Sequence, residues 1–399
     1  MRVPKVILPS ALIILPRSAV AYPLYALSGP LLIDFRRSAL GAYVALCAIL
    51  LWLAIAFTAT YTQRDVSVTA FLLELVLLTP LLLFISGFSL AVRPVDCLWS
   101  LRFVNLACFV FSVINLVRNG FPLALPYLDY LPDEYFGTFG IGGARIVTIF
   151  GFTGLLMEAS MRSASRYSNV FLLVAFCNFV VPSYILGIVC GLAAFALIVI
   201  RRPAVLLLAG LLLIPAALYA LDRLGRVNSI IAQTVGWHPK VYAHILVYKV
   251  FSADAFTTLL GTGVGQFTST PQIWASEAFR SISAQSAPNL PGLSSSYFHL
   301  THVEPVSSLA YETKWALSSA LNKPYTGATT ALIEMGAFSL VLAYLFCKRA
   351  LHICTRSPMA LVFFAFFISL NLVDQWLDNL WLGYCLLLTA AFFSDRARA

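Results

Sequence analysis

Long apolar runs separated by short polar connections dominate the pattern along this chain. Residues 183–200 and 203–221 each lack a charged side chain from end to end, and about 20 apolar residues suffice to cross a hydrocarbon core about 30 Å thick. The alternation of apolar and polar residues typical of membrane-spanning β-strands is absent. The pattern therefore predicts an all-α, polytopic integral membrane protein, with residues 1–399 forming a single membrane domain.

The apolar runs predict about 11 transmembrane helices, within a range of about 10 to 12. The best-defined spans are residues 38–60, 67–92, 97–117, 146–160, 168–181, 183–200, 203–221, 328–347, 358–373 and 377–393. Residues 5–33 add one span or two short ones, because Pro16, Pro23 and Pro30 interrupt that run. The run 168–181 is short, so in an alternative interpretation Pro182 only kinks one longer helix.

Composition and charge agree with a membrane protein. Of the 399 residues, 60% are hydrophobic and only 11% are charged. The net charge of +9 could also suit nucleic-acid binding, but the basic residues concentrate in the short connections. Examples are Arg36, Arg37, Arg201, Arg202, Lys348 and Arg349. This distribution marks cytoplasmic loops, so we expect the lipid bilayer, and no nucleic acid, as a partner.

The basic connections also predict which segments face outward. If they are cytoplasmic, residues 222–327 form one large loop on the outer face, and residues 118–145 form a smaller second loop there. The large loop contains short apolar stretches such as "VYAHILVYKVF", which indicate amphipathic helices lying on the bilayer surface. The polar features of the chain are therefore expected on one side of the membrane.

The segment "SSSYFHLTHVEPVSS" places His299, His302 and Glu304 within six residues. The spacing HxxHxE lacks a third ligand at a recognised distance and differs from HExxH, so no metal site and no metal cofactor are expected. An imidazole near a carboxylate suits general-base chemistry on a hydroxyl. The alternative is that these are surface histidines without a role.

His302 is the predicted base of this group, with His299 orienting the acceptor. Glu304 lies only two residues from His302, and in an extended segment those side chains would share a face. A nearby carboxylate stabilises the imidazolium that forms after proton abstraction.

Arg145 is the predicted binding residue for a diphosphate. It lies in "GIGGARIVTIFGF", at the start of a span on the predicted outer face. An enzyme acting on a lipid diphosphate needs fixed positive charge, and the planar guanidinium binds phosphate oxygens bidentately. The alternative is an interfacial arginine that only snorkels.

Charged residues inside the predicted spans are costly and therefore informative. Glu74 and Arg102 occupy neighbouring predicted spans. We expect them to neutralise each other in a structural role.

Three segments together resemble the superfamily of bacterial O-antigen ligases and Wzy-type polysaccharide polymerases. The segments are "RIVTIFGF" (145–152), "LLGTGVGQF" (259–267) and "ATTALIEMGAFSLVLAY" (328–344). They look like the arginine and Gly-Phe pair at the start of a mid-chain span, the glycine-rich motif that opens the large periplasmic loop, and the "ExG" span that closes it.

The resemblance implies a membrane-embedded glycosyltransferase of the GT-C type in the bacterial inner membrane. Its donor would be an oligosaccharide on undecaprenyl diphosphate, transferred with inversion at the periplasmic face and without a metal, cofactor or nucleotide sugar. A chain-length regulator and a flippase would be further partners. The large loop, 222–327, would carry the active site.

Two departures from the family pattern favour a polymerase over a ligase. Tyr325 lies where ligases carry a histidine before the "ExG" glutamate, although His302 could substitute through folding of the loop. The arginine usually found upstream of the glycine-rich motif is absent, which leaves Lys240, His244 and Lys249 as candidate diphosphate-binding residues. Ligase-like transfer to another acceptor therefore remains an alternative.

A transporter of polysaccharide precursors is the alternative from another functional class. Such proteins bind their substrate on broken helices of two related halves. The chain shows no internal repeat, and its polar residues concentrate in one loop, which favours the enzyme.

Overall fold

The computed structural model describes residues 7–15, 21–118, 137–139, 143–161, 168–182, 184–199, 249–250, 255–276, 290–304 and 325–395. Within these ranges the protein is helical, and the β-type pairing is one isolated antiparallel bridge between Ile33 and Leu90. The predicted all-α class is thereby confirmed. The predicted span 203–221 lies outside the described residues.

The helices follow the apolar runs of the sequence. They are α1 (Ile7–Ile13), α2 (Ala21–Ser28), α3 (Leu40–Tyr61), α4 (Val68–Ser86), α5 (Pro94–Arg118), α6 (Gly143–Ser160), α7 (Ser168–Val180), α8 (Ile185–Val199), α9 (Ala255–Leu260), α10 (Thr270–Ala275), α11 (Gly327–Met335), α12 (Phe338–Cys354), α13 (Pro358–Val373) and α14 (Leu380–Asp395). A π-helical turn spans His299–Val303.

Three of the described helices, α3, α4 and α5, are long and apolar enough to cross a membrane. The apolar parts of α7, α8, α13 and α14 are shorter. On α3 the large apolar side chains of Leu40, Val44 and Leu51 are at least 60% exposed. Such a surface suits contact with lipid, because an apolar side chain gains little from facing water.

The predicted span 328–347 is divided into α11 and α12. Gly336 separates the two helices with a φ of +59°, a left-handed conformation that only glycine adopts without strain. The break matters for the site, because it lets the backbone at Gly336 approach the loop that follows α9.

Helix α14 lies at the centre of the protein. Almost every side chain from Leu380 to Phe393 is buried, and α14 packs against α4, α5, α6 and α13. A helix that is apolar on all sides is expected in such an interior position.

Hydrogen bonds between different segments fall into two groups, one at each end of the helices. Contacts at the predicted cytoplasmic end join Asp34 to Ser89, Arg349 to Phe88 and Arg356 to Ser394. Contacts at the predicted outer end join Asp65 to Tyr297, Gly327 to Asp374 and Tyr184 to Asp374. The packing agrees with an alternating path of the chain, and which end faces the periplasm stays a prediction.

Arg102 does not pair with Glu74 as predicted. Its guanidinium forms two hydrogen bonds, of 2.5 and 2.9 Å, with the buried carboxylate of Glu158 on α6. The hydroxyl of Ser168, at the start of α7, donates to the same carboxylate at 2.8 Å. Packing of α5 against both α6 and α7 brings these groups together, which proximity in the sequence could not indicate.

Candidate functional site

The nine residues from Gly261 to Ser269, here called the glycine loop, connect α9 to α10. Gly261, Gly263 and Gly265 have φ values of +81°, +89° and +78°. A side chain at Gly261 would lie 2.5 Å from the carbonyl oxygen of Glu334, and one at Gly265 would lie 2.6 Å from that of Ala70. The loop therefore needs glycine for its conformation and for its close contact with α4 and α11.

The side chain of Glu334 fills the concave face of the glycine loop. Its Oε2 accepts a hydrogen bond from the Gly265 N–H at 2.8 Å. Its Oε1 accepts from the N–H groups of Phe267, Thr268 and Ser269 at 2.9, 3.2 and 3.2 Å. Glycine-rich loops often use such N–H groups to bind phosphate, but here they bind a carboxylate of the protein itself.

The glycine-rich motif and the "ExG" motif thus form one structural unit. Besides the side-chain contacts of Glu334, the Thr262 N–H donates to the Ile333 carbonyl at 2.8 Å, and the Gly263 N–H donates to the Glu334 carbonyl at 3.1 Å. This pairing of two segments far apart in the sequence orders the C-terminal end of α11.

His299 is buried and both of its ring nitrogens are occupied. Its Nδ1 lies 2.7 Å from the Phe267 carbonyl oxygen, and because a carbonyl only accepts, Nδ1 carries a proton. Its Nε2 lies 3.1 Å from Glu304 Oε2, which also accepts from the Ser276 hydroxyl at 2.7 Å. One proton must therefore lie between His299 and Glu304.

The expected pairing of His302 with Glu304 is wrong. Residues 299–303 form a π-helical turn rather than an extended segment, so residues two apart do not share a face. Glu304 instead contacts His299, one turn away. His302 is half-buried, and burial lowers the pKa of its imidazole below the ordinary value of 6.5. It is therefore neutral at pH 7, as a general base must be.

His302 lines a cavity of about 310 Å³ between the end of α3, α9 and the π-helical turn. Arg64 and Lys249 line the same space, and among the described lining residues none is acidic. We call this space the cationic cavity. The guanidinium carbon of Arg64 lies 4.8 Å from the centre of the Tyr297 ring, which holds the charge in place by a cation–π contact.

Of the predicted site residues, the cationic cavity brings together His302 and Lys249. Sequence reasoning missed Arg64. One feature of the sequence could have indicated it. Arg64 lies in the connection between α3 and α4, which is predicted to face outward, and basic residues are uncommon in outward-facing connections.

Arg145 lies outside the cationic cavity. It lies in the first turn of α6, and its Nη1 lies 3.7 Å from Oδ2 of the buried Asp374. The Tyr184 hydroxyl donates to the same oxygen at 2.9 Å. The side chain of Arg145 remains 22% exposed, so it can still reach a ligand.

Arg145 is connected to the glycine loop through the turn that follows α13. Gln375, next to Asp374, donates from its Nε2 to the Thr268 carbonyl. Arg145 and the cationic cavity therefore flank the same loop.

Tyr325 is buried beside the π-helical turn. Its hydroxyl donates to the His302 carbonyl at 3.2 Å, and its ring packs edge-on against Phe267 at 5.2 Å. Tyr325, at the position where the resemblance to ligases would lead one to expect a histidine, thus lies next to His302. Lys240 and His244, the other predicted diphosphate-binding residues, lie outside the described residues.

Comparisons of this chain with protein-family models, with curated proteins and with solved structures found no match. The geometry of the cationic cavity and of the glycine loop is therefore the basis on which a function can be proposed.

Proposed function

We propose that this protein is a membrane glycosyltransferase that joins oligosaccharide repeat units carried on undecaprenyl diphosphate. It would act at the periplasmic face of the bacterial inner membrane as a polysaccharide polymerase. The observation that carries this proposal is the cationic cavity, which combines a neutral imidazole with two cations at one end of the helices.

The cavity offers the groups that an inverting transfer needs. The neutral imidazole of His302 takes the proton of the acceptor hydroxyl as its oxygen attacks the anomeric carbon of the donor. The bond from that carbon to the diphosphate oxygen breaks, and undecaprenyl diphosphate leaves with the bonding electrons. Arg64 and Lys249 stabilise the negative charge that develops on the leaving group.

The remaining contacts support this arrangement. Tyr297 and Phe298 line the same space, and aromatic rings beside polar groups suit the mixed apolar and hydroxylated faces of a sugar. The contact between His299 and Glu304 fixes the π-helical turn that carries His302. Arg145, across the glycine loop, is a second contact for the diphosphate.

Ligase-like transfer to a different acceptor is the second candidate function. The hydrogen bond from the Tyr325 hydroxyl to the His302 carbonyl supports it, because the bond holds His302 beside the position at which ligases carry a histidine. The two functions share the donor and differ only in the acceptor.

The first test measures binding of the donor lipid. The protein in nanodiscs should bind undecaprenyl diphosphate more tightly than undecaprenol, which lacks the charge. In the double variant Arg64→Gln/Lys249→Gln this preference should fall by about 10²-fold, because charge-assisted hydrogen bonds are each worth about 1.5–3 kcal/mol. Native mass spectrometry gives both affinities.

Arg37→Gln is the matched control, since Arg37 is an exposed arginine near the start of α3, at the other end of that helix from Arg64. It should bind both lipids like the wild type. An unchanged preference in the double variant would refute the assignment of the cationic cavity. Incubation with lipid-linked oligosaccharide from the source cells then separates polymerase from ligase, because only a polymerase elongates the donor without a further acceptor.

A further inference from the structure

Glu334 connects the two motifs of the site, yet the proposed chemistry does not use it. Its side chain is 1% exposed and receives four backbone hydrogen bonds from the glycine loop. All four groups are donors, which suits an ionised carboxylate.

The glycine loop holds the catalytic segment in place. The Phe267 carbonyl binds His299 Nδ1, and the Ser296 hydroxyl donates to the Gln266 carbonyl. Both contacts attach the π-helical turn, and therefore His302, to the loop. At its start, Gly261 forms part of the wall of the cationic cavity.

Other contacts of the loop involve side chains, such as those of Gln266 with the Ser67 backbone and of Thr268 with the Thr330 hydroxyl, whereas its backbone N–H groups depend mainly on Glu334. Three of its residues are glycines in left-handed conformations, and glycine loses more conformational freedom on folding than any other residue. Residues 265–269 are outside any helix, so their N–H groups need partners. Glu334 supplies the acceptor for four of those five residues.

We infer that Glu334 is a positioning residue of the transfer reaction: its carboxylate holds the glycine loop, and the loop holds the turn that aims His302 at the acceptor. The reaction that Glu334 serves in this inference is the one given by the proposed function. Arg64 and Lys249 lie outside the segment that this path connects to Glu334, so loss of Glu334 should affect the rate of transfer much more than the affinity for the donor.

Glu334→Gln tests the inference with almost no change of size. The amide keeps one accepting oxygen but replaces the other with an NH₂ group, which would face at least one backbone N–H as a second donor. Glu334→Asp keeps the charge at a shorter reach and should restore part of the function.

Glu158→Gln is the control for loss of a buried carboxylate. Glu158 is 2% exposed and also accepts several hydrogen bonds, but it pairs with Arg102 at the opposite end of the helices. The two variants should lose comparable thermal stability.

Two readouts separate positioning from general destabilisation. Hydrogen exchange should rise in residues 261–269 of Glu334→Gln and stay unchanged there in Glu158→Gln. The kcat of transfer should fall by about 10²-fold in Glu334→Gln, as expected for misplacement of a catalytic group by about 1 Å. The KM for the donor should change much less than kcat, and Glu158→Gln should keep the wild-type kcat.

The outcomes are distinguishable. Unchanged exchange in the loop, or a wild-type kcat despite increased exchange, would overturn the role of Glu334. An equal fall of kcat in Glu158→Gln would show that the effect of Glu334→Gln is general destabilisation, and it would overturn the positioning role as well. If the wild-type protein transfers no glycan, the proposed function fails, while the exchange data still decide whether Glu334 holds the loop.

Discussion

At the scale of single residues, His299 and His302 show how neighbours in the sequence acquire different chemistry. His299 is 1% exposed and has a partner on each ring nitrogen. His302 faces a cavity, and burial lowers the pKa of its imidazole. The first suits a structural role, and the second suits proton transfer.

His302→Ala should reduce the transfer rate by about 10²–10⁴-fold, the usual effect of losing a general base. In the wild type the rate should fall only below pH 6.5, because the imidazole with its lowered pKa stays neutral down to that range. The measurement is the rate from about pH 5 to about pH 8. A wild-type rate in His302→Ala would place the base elsewhere.

The lowered pKa of His302 also makes the folding stability depend on pH. A histidine whose pKa is lower in the folded than in the unfolded protein contributes stability above the unfolded value, and that stability is lost as the pH falls. His302→Ala should therefore unfold with a weaker dependence on pH below 6.5 than the wild type.

At the scale of elements, the ion pair between Arg102 and Glu158 determines how α5, α6 and α7 meet. The guanidinium also lies 5.0 and 4.7 Å from the ring centres of Trp99 and Phe171. The pair is buried, with both side chains at most 4% exposed. A buried pair is costly to break, because the remaining charge has no compensation.

Arg102→Met should destabilise the protein by about 3–5 kcal/mol, and Glu158→Met by a similar amount. The double variant should lose less than the sum, because it leaves neither charge unpaired. Unfolding in a titration with sodium dodecyl sulfate measures these free energies. As a control, the losses of unfolding free energy in Arg102→Met and Glu74→Gln should add up in the double variant. A strong departure from additivity would show that Arg102 and Glu74 interact, as the sequence predicted.

At the scale of the whole molecule, the sequence predicted the helical class and the positions of most described helices. Long apolar runs need no tertiary information to be recognised, so α3 and α5 agree with their predicted spans within three residues. Helix α4 ends at Ser86, six residues before its predicted end, because Gly87 terminates it in a left-handed conformation. The break at Gly336 was missed, because its cause is the approach of Gly261 from another part of the chain. Arg64 was missed for the same reason, since Lys249 and His302 join it only in the folded protein.

The orientation can be tested by thiol labelling. Thr62→Cys and Ser294→Cys, both exposed at the predicted outer end, should react with a membrane-impermeant maleimide in intact cells. Thr355→Cys, exposed at the other end, should react only after permeabilisation. The background must lack the native cysteines, because Cys47 and Cys347 are exposed. The reverse labelling pattern would invert the orientation and exclude a periplasmic site.

The fit of Glu334 into the glycine loop limits how this chain can vary in length. The N–H groups of Gly265, Phe267, Thr268 and Ser269 each occupy a fixed place relative to one carboxylate, so inserting a single residue among them would move a carbonyl into a place that needs a donor. Over evolutionary time, insertions and deletions should therefore be excluded from residues 265–269, even where the length of the chain varies elsewhere.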